Sequence, residues 1–228
     1  MKDLRLKEEP KHIECFDNSN IQGTNPFAAC VVFKNAKPSK KDYRHFNIKT
    51  VQGPDDFATM EEVIFRRYKR VLDEKQPLPQ LIVIDGGKGQ LSSALKSLEQ
   101  VGLTGKVAVI GIAKKLEEIY YPNDSVPLYL NKKSETLRVI QHIRDEAHRF
   151  SIAHHRKRRE KSTIQSELTE IKGISHSTAQ KLLSKFKSVK KIKTCSEEEI
   201  AAVIGTAKGK LVGEFLSLRK EKAPGRIA

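Results

Sequence analysis

The 228-residue chain is short of cysteine and has no long apolar run. Its three cysteines, Cys15, Cys30 and Cys195, lie far apart and form no C-x-x-C pair. That excludes a cysteine zinc site and a disulfide scaffold, and it suits a reducing cytoplasm, where the chain is expected to reside. No apolar stretch approaches the roughly 18 residues of a membrane span, so no membrane partner is expected. Met1 to Lys11 is charged and has no signal-peptide core, and its abrupt start reads as that of a piece cut from a longer chain. No G-x-x-x-x-G-K-[ST] loop occurs, which excludes a P-loop nucleotidase. No repeat of solenoid length is visible.

Positive charge is abundant. Lys and Arg number 43 against 28 Asp and Glu, a formal net charge of +15. Such an excess needs a polyanionic partner or a strongly solvated surface, and nucleic acid is the commonest such partner. The excess is uneven: residues 151–228 hold 18 basic and 8 acidic residues (net +10), residues 1–150 hold 25 and 20 (net +5). The length suits one mid-sized domain and a small one. The charge run His154 to Thr163, a solvated helix end or linker by composition, marks the boundary. Domains are therefore expected at 1–158 and 159–228.

The most informative stretch is Leu81-Ile82-Val83-Ile84-Asp85-Gly86-Gly87-Lys88-Gly89-Gln90. Four apolar residues read as a strand buried on both faces, glycines break it, and Leu91, Ala94, Leu95 and Leu98 then recur at helical spacing. Asp85 thus ends a strand, at the edge where open α/β sheets bind ligands. Two readings of it stand: a cap for the next helix, or a carboxylate that holds a divalent cation against a phosphate.

Upstream, residues 12–17, 27–34 and 43–48 alternate as strands, with turns at Asn18 to Pro26 and Asn35 to Lys41, which implies an antiparallel meander. Gly53-Pro54-Asp55-Asp56 announces a helix capped by Asp55 or Asp56, with Phe57, Met60, Val63, Ile64 and Val71 as its apolar stripe. Downstream come a strand at Lys106 to Ile112, a β-like excursion from Ile119 to Tyr129 and a long helix from about Ser134 to His155.

Beyond the boundary, Ser162-x-x-Gln165 and Ser196-Glu197-Glu198-Glu199 read as capping boxes that open helices. Ile171-Lys172-Gly173-Ile174-Ser175 and Ile204-Gly205-Thr206-Ala207 read as glycine turns between helices. A glycine turn lets amide N–H groups of the following helix face a phosphate oxygen, and Lys172, Lys181 and Lys208 lie nearby. A plain αα-hairpin packed for stability is the competing reading. In the long helix, Arg144 and His148 stand one turn apart beside Asp145, an arrangement open to proton transfer, metal ligation or a surface ion pair.

The element order β-β-β-α-β-α-β-(excursion)-α resembles a ribonuclease H-like fold, an α/β mixed sheet flanked by helices, here followed by a small all-α tandem helix-hairpin-helix domain. In that fold the first strand lies beside the fourth, so the resemblance brings Asp17 to Asp85. The motifs Phe16-Asp17-Asn18-Ser19-Asn20-Ile21-Gln22-Gly23, Gly53-Pro54-Asp55-Asp56, Arg66-Arg67-Tyr68, Ile84 to Gln90 and Arg144-Asp145-Glu146-Ala147-His148-Arg149-Phe150 resemble the carboxyl-terminal half of the UvrC family. That family supplies the incision subunit of bacterial nucleotide excision repair.

The resemblance implies a metal-dependent endonuclease making the 5′ incision beside a DNA lesion, with Mg2+ or Mn2+ as cofactor. Asp17, Asp85 and His148 would be its catalytic and metal-holding residues, with Asp56 also tied to activity. It implies DNA contacts from Arg66, Arg67, Lys88, Arg144, Lys172, Gly173, Ser175, Lys181, Gly205 and Lys208, and assigns Asn20 no chemistry. Its partners would be double-stranded DNA with a lesion or bubble and UvrB. The family's docking segment for UvrB and its GIY-YIG nuclease domain for the 3′ incision are not found in this sequence, so the piece is expected to lack 3′ activity and the recruiting contact. A non-catalytic DNA scaffold and a junction-selective nuclease of the same fold are the alternatives.

Overall fold

The computed structural model describes residues 2–19, 26–51, 53–113 and 118–221, which fall into two units, Met1–Ala153 and His154–Ala228. Most of the turn expected between Asn18 and Pro26, Asn20 included, lies outside the described residues.

The first unit is built on a mixed seven-stranded sheet. β1 (His12–Ser19), β2 (Phe27–Lys34), a two-residue β3 (Lys37–Pro38) and β4 (Arg44–Asn47) form its antiparallel part. β2 pairs with β1 on one side and with both β3 and β4 on the other. β5 (Leu81–Asp85) and β6 (Ala108–Ala113) extend it in parallel, and β7 (Glu118–Tyr120) closes it antiparallel, so the order is β3-β2-β1-β5-β6-β7. Placing β1 beside β5 brings the meander and the parallel strands into one sheet, as a ribonuclease H-like fold requires. The continuous apolar run of β5 is explained by its central place: Leu81 to Ile84 are all buried.

Helix α1 (Asp56–Asp73) packs against α2 (Lys88–Gln100), where Ser97 Oγ donates to the Glu61 carbonyl at 2.7 Å. Strand alternation sorts the faces. Glu14 and Phe16 of β1 meet Arg67 and Tyr68 of α1. On the opposite face, Phe33 packs edge-on to His142 of the long helix α3 (Glu135–Thr169). Buried Ile, Val and Phe side chains from the sheet and both helix layers form one core, each worth about 1.5–3 kcal/mol relative to exposure.

The structure corrects three expectations here. The long helix does not stop near His155, and Ser162 opens no new helix: the backbone stays helical from Glu135 to Thr169. The run 154–163 contains neither Gly nor Pro, and Arg, Lys and Glu are good helix formers, so a composition that looks like a linker continues the helix. Phe57 is also no part of the core stripe, being 56% exposed at the start of α1.

In the second unit, α4 (His176–Phe186), a short α5 (Val189–Ile192), α6 (Glu197–Ile204) and α7 (Thr206–Glu221) gather around Leu168, Leu182, Ile200 and Val212. The capping box at Ser196 and Glu199 is formed. Gly205 alone joins α6 to α7, at φ +87°. Gly209 lets those helices close up, since a Cβ there would lie 2.8 Å from the Ala201 Cα. No helix among the described residues is long and apolar enough to cross a membrane.

Candidate metal centre and nucleic-acid surface

In the parallel register of β1 and β5, Asp17 is the direct neighbour of Asp85. Neighbours on adjacent strands project from the same face, so both carboxylates leave the sheet together near the carboxyl ends of their strands. From α3, His148 reaches the pair: its Nδ1 lies 3.5 Å from Asp17 Oδ2. One ligand atom from each of Asp17, Asp85 and His148 falls within 4.8 Å of the others. Asp17 is buried, Asp85 is half-buried and the His148 side chain is 44% exposed, so the cluster is open to solvent.

Two carboxylates this close repel unless a cation or a proton sits between them. Two carboxylate oxygens and an imidazole nitrogen make a donor set that fits Mg2+ or Mn2+; the imidazole favours the transition metal of the two. Cys15 lies close by but offers no thiolate. Burial first, then the charges of Asp85 and Asp17, push its thiol well above the usual range.

The turn after Asp85 is held against the sheet, with Gly86 N donating to the Ile112 carbonyl at 3.0 Å. A Cβ on Gly111 of β6 would meet the Gly86 carbonyl oxygen at 2.9 Å, so the turn lies on bare backbone. Lys88 follows, exposed, as the first residue of α2.

Asp55, not Asp56, caps α1, accepting from the amides of Phe57 and Ala58 at 3.0 and 2.9 Å. Asp56 is exposed and stands outside the three-residue cluster; its carbonyl accepts from Asn18 Nδ2 at 2.7 Å, which ties the start of α1 to the end of β1. Arg66 is held by the Asn47 carbonyl at 2.8 Å and by Glu62 at 2.6 Å, with a third of its side chain exposed.

Arg67 does not face outward as expected. Its guanidinium turns into the protein, with Nε 3.1 Å from Glu14 Oε2 and Nη2 on Oε1, and only 11% of the side chain is exposed. A fully buried Glu14 demands such a partner, and Tyr68 donates to it as well, at 3.0 Å. Burial would raise the Glu14 carboxyl, but the His12 imidazole 3.3 Å away and the hydrogen-bonded Arg67 outweigh it and hold it down at about 2. The strand pattern carried the one signal for this network, an acid sharing the face of Phe16.

Arg144 also turns inward, its side chain 12% exposed and its Nη2 2.9 Å from Asp145 Oδ1. Its charge offsets part of the effect that Asp17 and Asp85 exert on the Cys15 thiol.

In the helical unit, Gly173 adopts φ +97°, a left-handed conformation that suits glycine. Ser175 then caps α4, accepting from the Thr178 amide at 3.3 Å. Lys172, Lys181, Gly205 and Lys208 are exposed. Lys208 Nζ lies 3.4 Å from Thr178 Oγ1, over the first turn of α4.

A family model for the UvrC RNAse H endonuclease domain matches residues 1–152, and one for a SAM-like helix-hairpin-helix tandem matches residues 166–211. The UvrABC system protein C of Flavobacterium johnsoniae is 67% identical over 214 residues, covering 94% of this chain and 36% of that protein. Its counterpart in Flavobacterium psychrophilum is 65% identical, covering 95% and 36%. The one in Christiangramia forsetii is 65% identical, covering 93% and 36%. The chain therefore spans little more than a third of the length of these relatives.

Proposed function

The chain belongs to the UvrC RNAse H endonuclease domain family, and from that premise we propose that it is a metal-dependent DNA endonuclease making the 5′ incision beside a lesion in nucleotide excision repair. One observation supports this above the rest: Asp17, Asp85 and His148 offer three ligand atoms within 4.8 Å of one another at the edge of the sheet. Asp17 and Asp85 would hold Mg2+ or Mn2+. When bound, the cation supplies Lewis-acid polarisation of the phosphodiester and a lowered pKa for the attacking water. His148, whose Nδ1 lies 3.5 Å from Asp17 Oδ2, would either complete the metal's donor set or relay a proton during strand scission.

The helical unit would bind the DNA backbone without reading sequence, as phosphate contacts do. Lys208 extends its ammonium over the amino-terminal turn of α4, where the helix dipole is itself positive. A phosphate between them would relieve that like-charge approach. Lys172 and Lys181 widen the same basic surface, and Lys88 and Arg66 would add backbone contacts beside the nuclease rim. In the whole protein, UvrB is the proposed partner that brings the nuclease to lesion-bearing DNA.

The test is a nicking assay with the full chain on a duplex carrying a lesion or bubble. Strand scission should require Mg2+ or Mn2+ and fall on the 5′ side of the distortion. Asp17→Ala and Asp85→Ala should abolish it and leave DNA binding nearly unchanged. Equal loss of cutting and binding would make these structural residues, and preferred cutting of a four-way junction would redirect the assignment to junction processing.

A further inference from the structure

A groove of about 650 Å³ opens between the starts of α1 and α2, lined by Pro54, Asp55, Asp56, Phe57, Gly87, Gly89 and Gln90. It begins two residues past Asp85, and the Asn18 hydrogen bond to Asp56 ties its other wall to the strand that carries Asp17. Its volume lies within the roughly 300–1,000 Å³ of small-molecule sites. Among the described residues that line it, Phe57 is the one aromatic, and it is 56% exposed. At the second position of an amphipathic helix whose Met60, Val63 and Ile64 are buried, that exposure leaves a ring surface for something outside the core.

The ring has a seat. It lies against Gly89 so closely that a Cβ there would come within 2.5 Å of Phe57 Cε1. Gly89 does not have a positive φ, so the turn does not require glycine at this position. What glycine permits is the contact with the ring.

We infer that Phe57, seated on Gly89, is a stacking platform for an unpaired nucleobase flanking the phosphate presented to Asp17 and Asp85. This deepens, and rests on, the reading of that rim as a DNA nuclease site. Asp56 on the groove wall disfavours a phosphate there but not a neutral base. A flat exposed ring accepts any base, which suits an enzyme that recognises distortion rather than sequence. Lys88, the exposed first residue of α2, supplies the charge for the neighbouring backbone.

The experiment uses the full chain and a bubble duplex with 2-aminopurine at successive unpaired positions, without divalent metal so that no cutting occurs. Wild type should quench the probe at one position near the bubble edge. Phe57→Ala should lose that quenching and bind the bubble roughly tenfold more weakly, while binding a fully paired duplex like wild type. Phe57→Trp should keep both. Gly89→Ala is the control for folding: it improves helix propensity, so the protein should stay at least as stable, yet it displaces the ring and should lose the quenching. Unchanged quenching and affinity in Phe57→Ala, or no binding of the bubble by wild type, overturns the platform. A wild-type chain that shows Phe57-dependent quenching but no metal-dependent nicking would sink the nuclease reading alone.

Discussion

Glu14 and Asp17 are buried acids on one strand, three positions apart and on opposite faces, and the protein treats them differently. Glu14 receives Arg67 in a two-point contact, with Tyr68 and His12 completing the set. Asp17 is brought against a second carboxylate and an imidazole instead. A buried carboxylate is costly unless its charge is offset. At Glu14 the protein offsets it permanently with its own guanidinium, which fastens α1 to the sheet. At Asp17 it gathers a second carboxylate and an imidazole, the set proposed above to hold an external cation, near the carboxyl ends of the two strands. Acidic residues of similar burial can therefore be sorted by what surrounds them: the first should govern stability and the second chemistry.

Substitutions test that division. The largest effect expected is on incision: Asp17→Ala or Asp85→Ala should lower the nicking rate by about 10³-fold or more, several kcal/mol of lost electrostatic catalysis, in single-turnover assays. In the absence of metal, Asp85→Asn should leave the urea midpoint of the sheet unit unchanged or raise it, because a repulsive pair is removed. Arg67→Met should do the reverse. It leaves Glu14 buried without its main counter-charge and should cost about 3–5 kcal/mol in urea denaturation. Replacing both partners, Glu14→Leu with Arg67→Met, should recover part of that loss. A double variant no better than the single one would show that the pair does not act as a unit.

Acid provides the next probe. The folded Glu14 carboxyl titrates at about 2 against an ordinary 4.5. A depressed carboxylate stabilises the fold fully above about pH 4.5, and that stabilisation is lost as pH falls toward about 2. The amount is on the order of 3 kcal/mol. Unfolding free energy of the wild type should fall across this window more steeply than that of Arg67→Met. Parallel curves would remove Glu14 from the account.

The smallest effect belongs to the helical unit. Lys208→Ala should weaken DNA binding severalfold, equally for all sequences, and lower the slope of log affinity against log salt by about one.

Much of this was legible from the chain itself. Leu81 to Gln90 announced a buried strand, a glycine turn and a helix, because a run of β-formers followed by Asp-Gly-Gly has few other solutions. Ser196 and Glu199 announced a capping box by spacing alone. The meeting of Asp17 with Asp85 was not legible from the residues alone; parallel pairing across 68 positions leaves no local mark, and it was the likeness of the element order to a ribonuclease H-like fold that supplied it. Arg67 misled because an arginine on a helix ordinarily points to solvent, and the buried acid that captures it lies 53 residues earlier. The run 154–163 misled because charge marks solvation, while helix continuation depends on the absence of breakers. Phe57 misled because helical spacing cannot tell a core position from a first-turn position that overhangs a groove.

The most direct measurement is Mn2+ binding to the full chain, followed by electron paramagnetic resonance, without DNA. Wild type and Lys208→Ala should bind the ion equally, and Asp17→Asn or Asp85→Asn should each weaken binding at least about tenfold. Undiminished Mn2+ affinity in both aspartate variants would contradict a cation site at the end of β1 and β5.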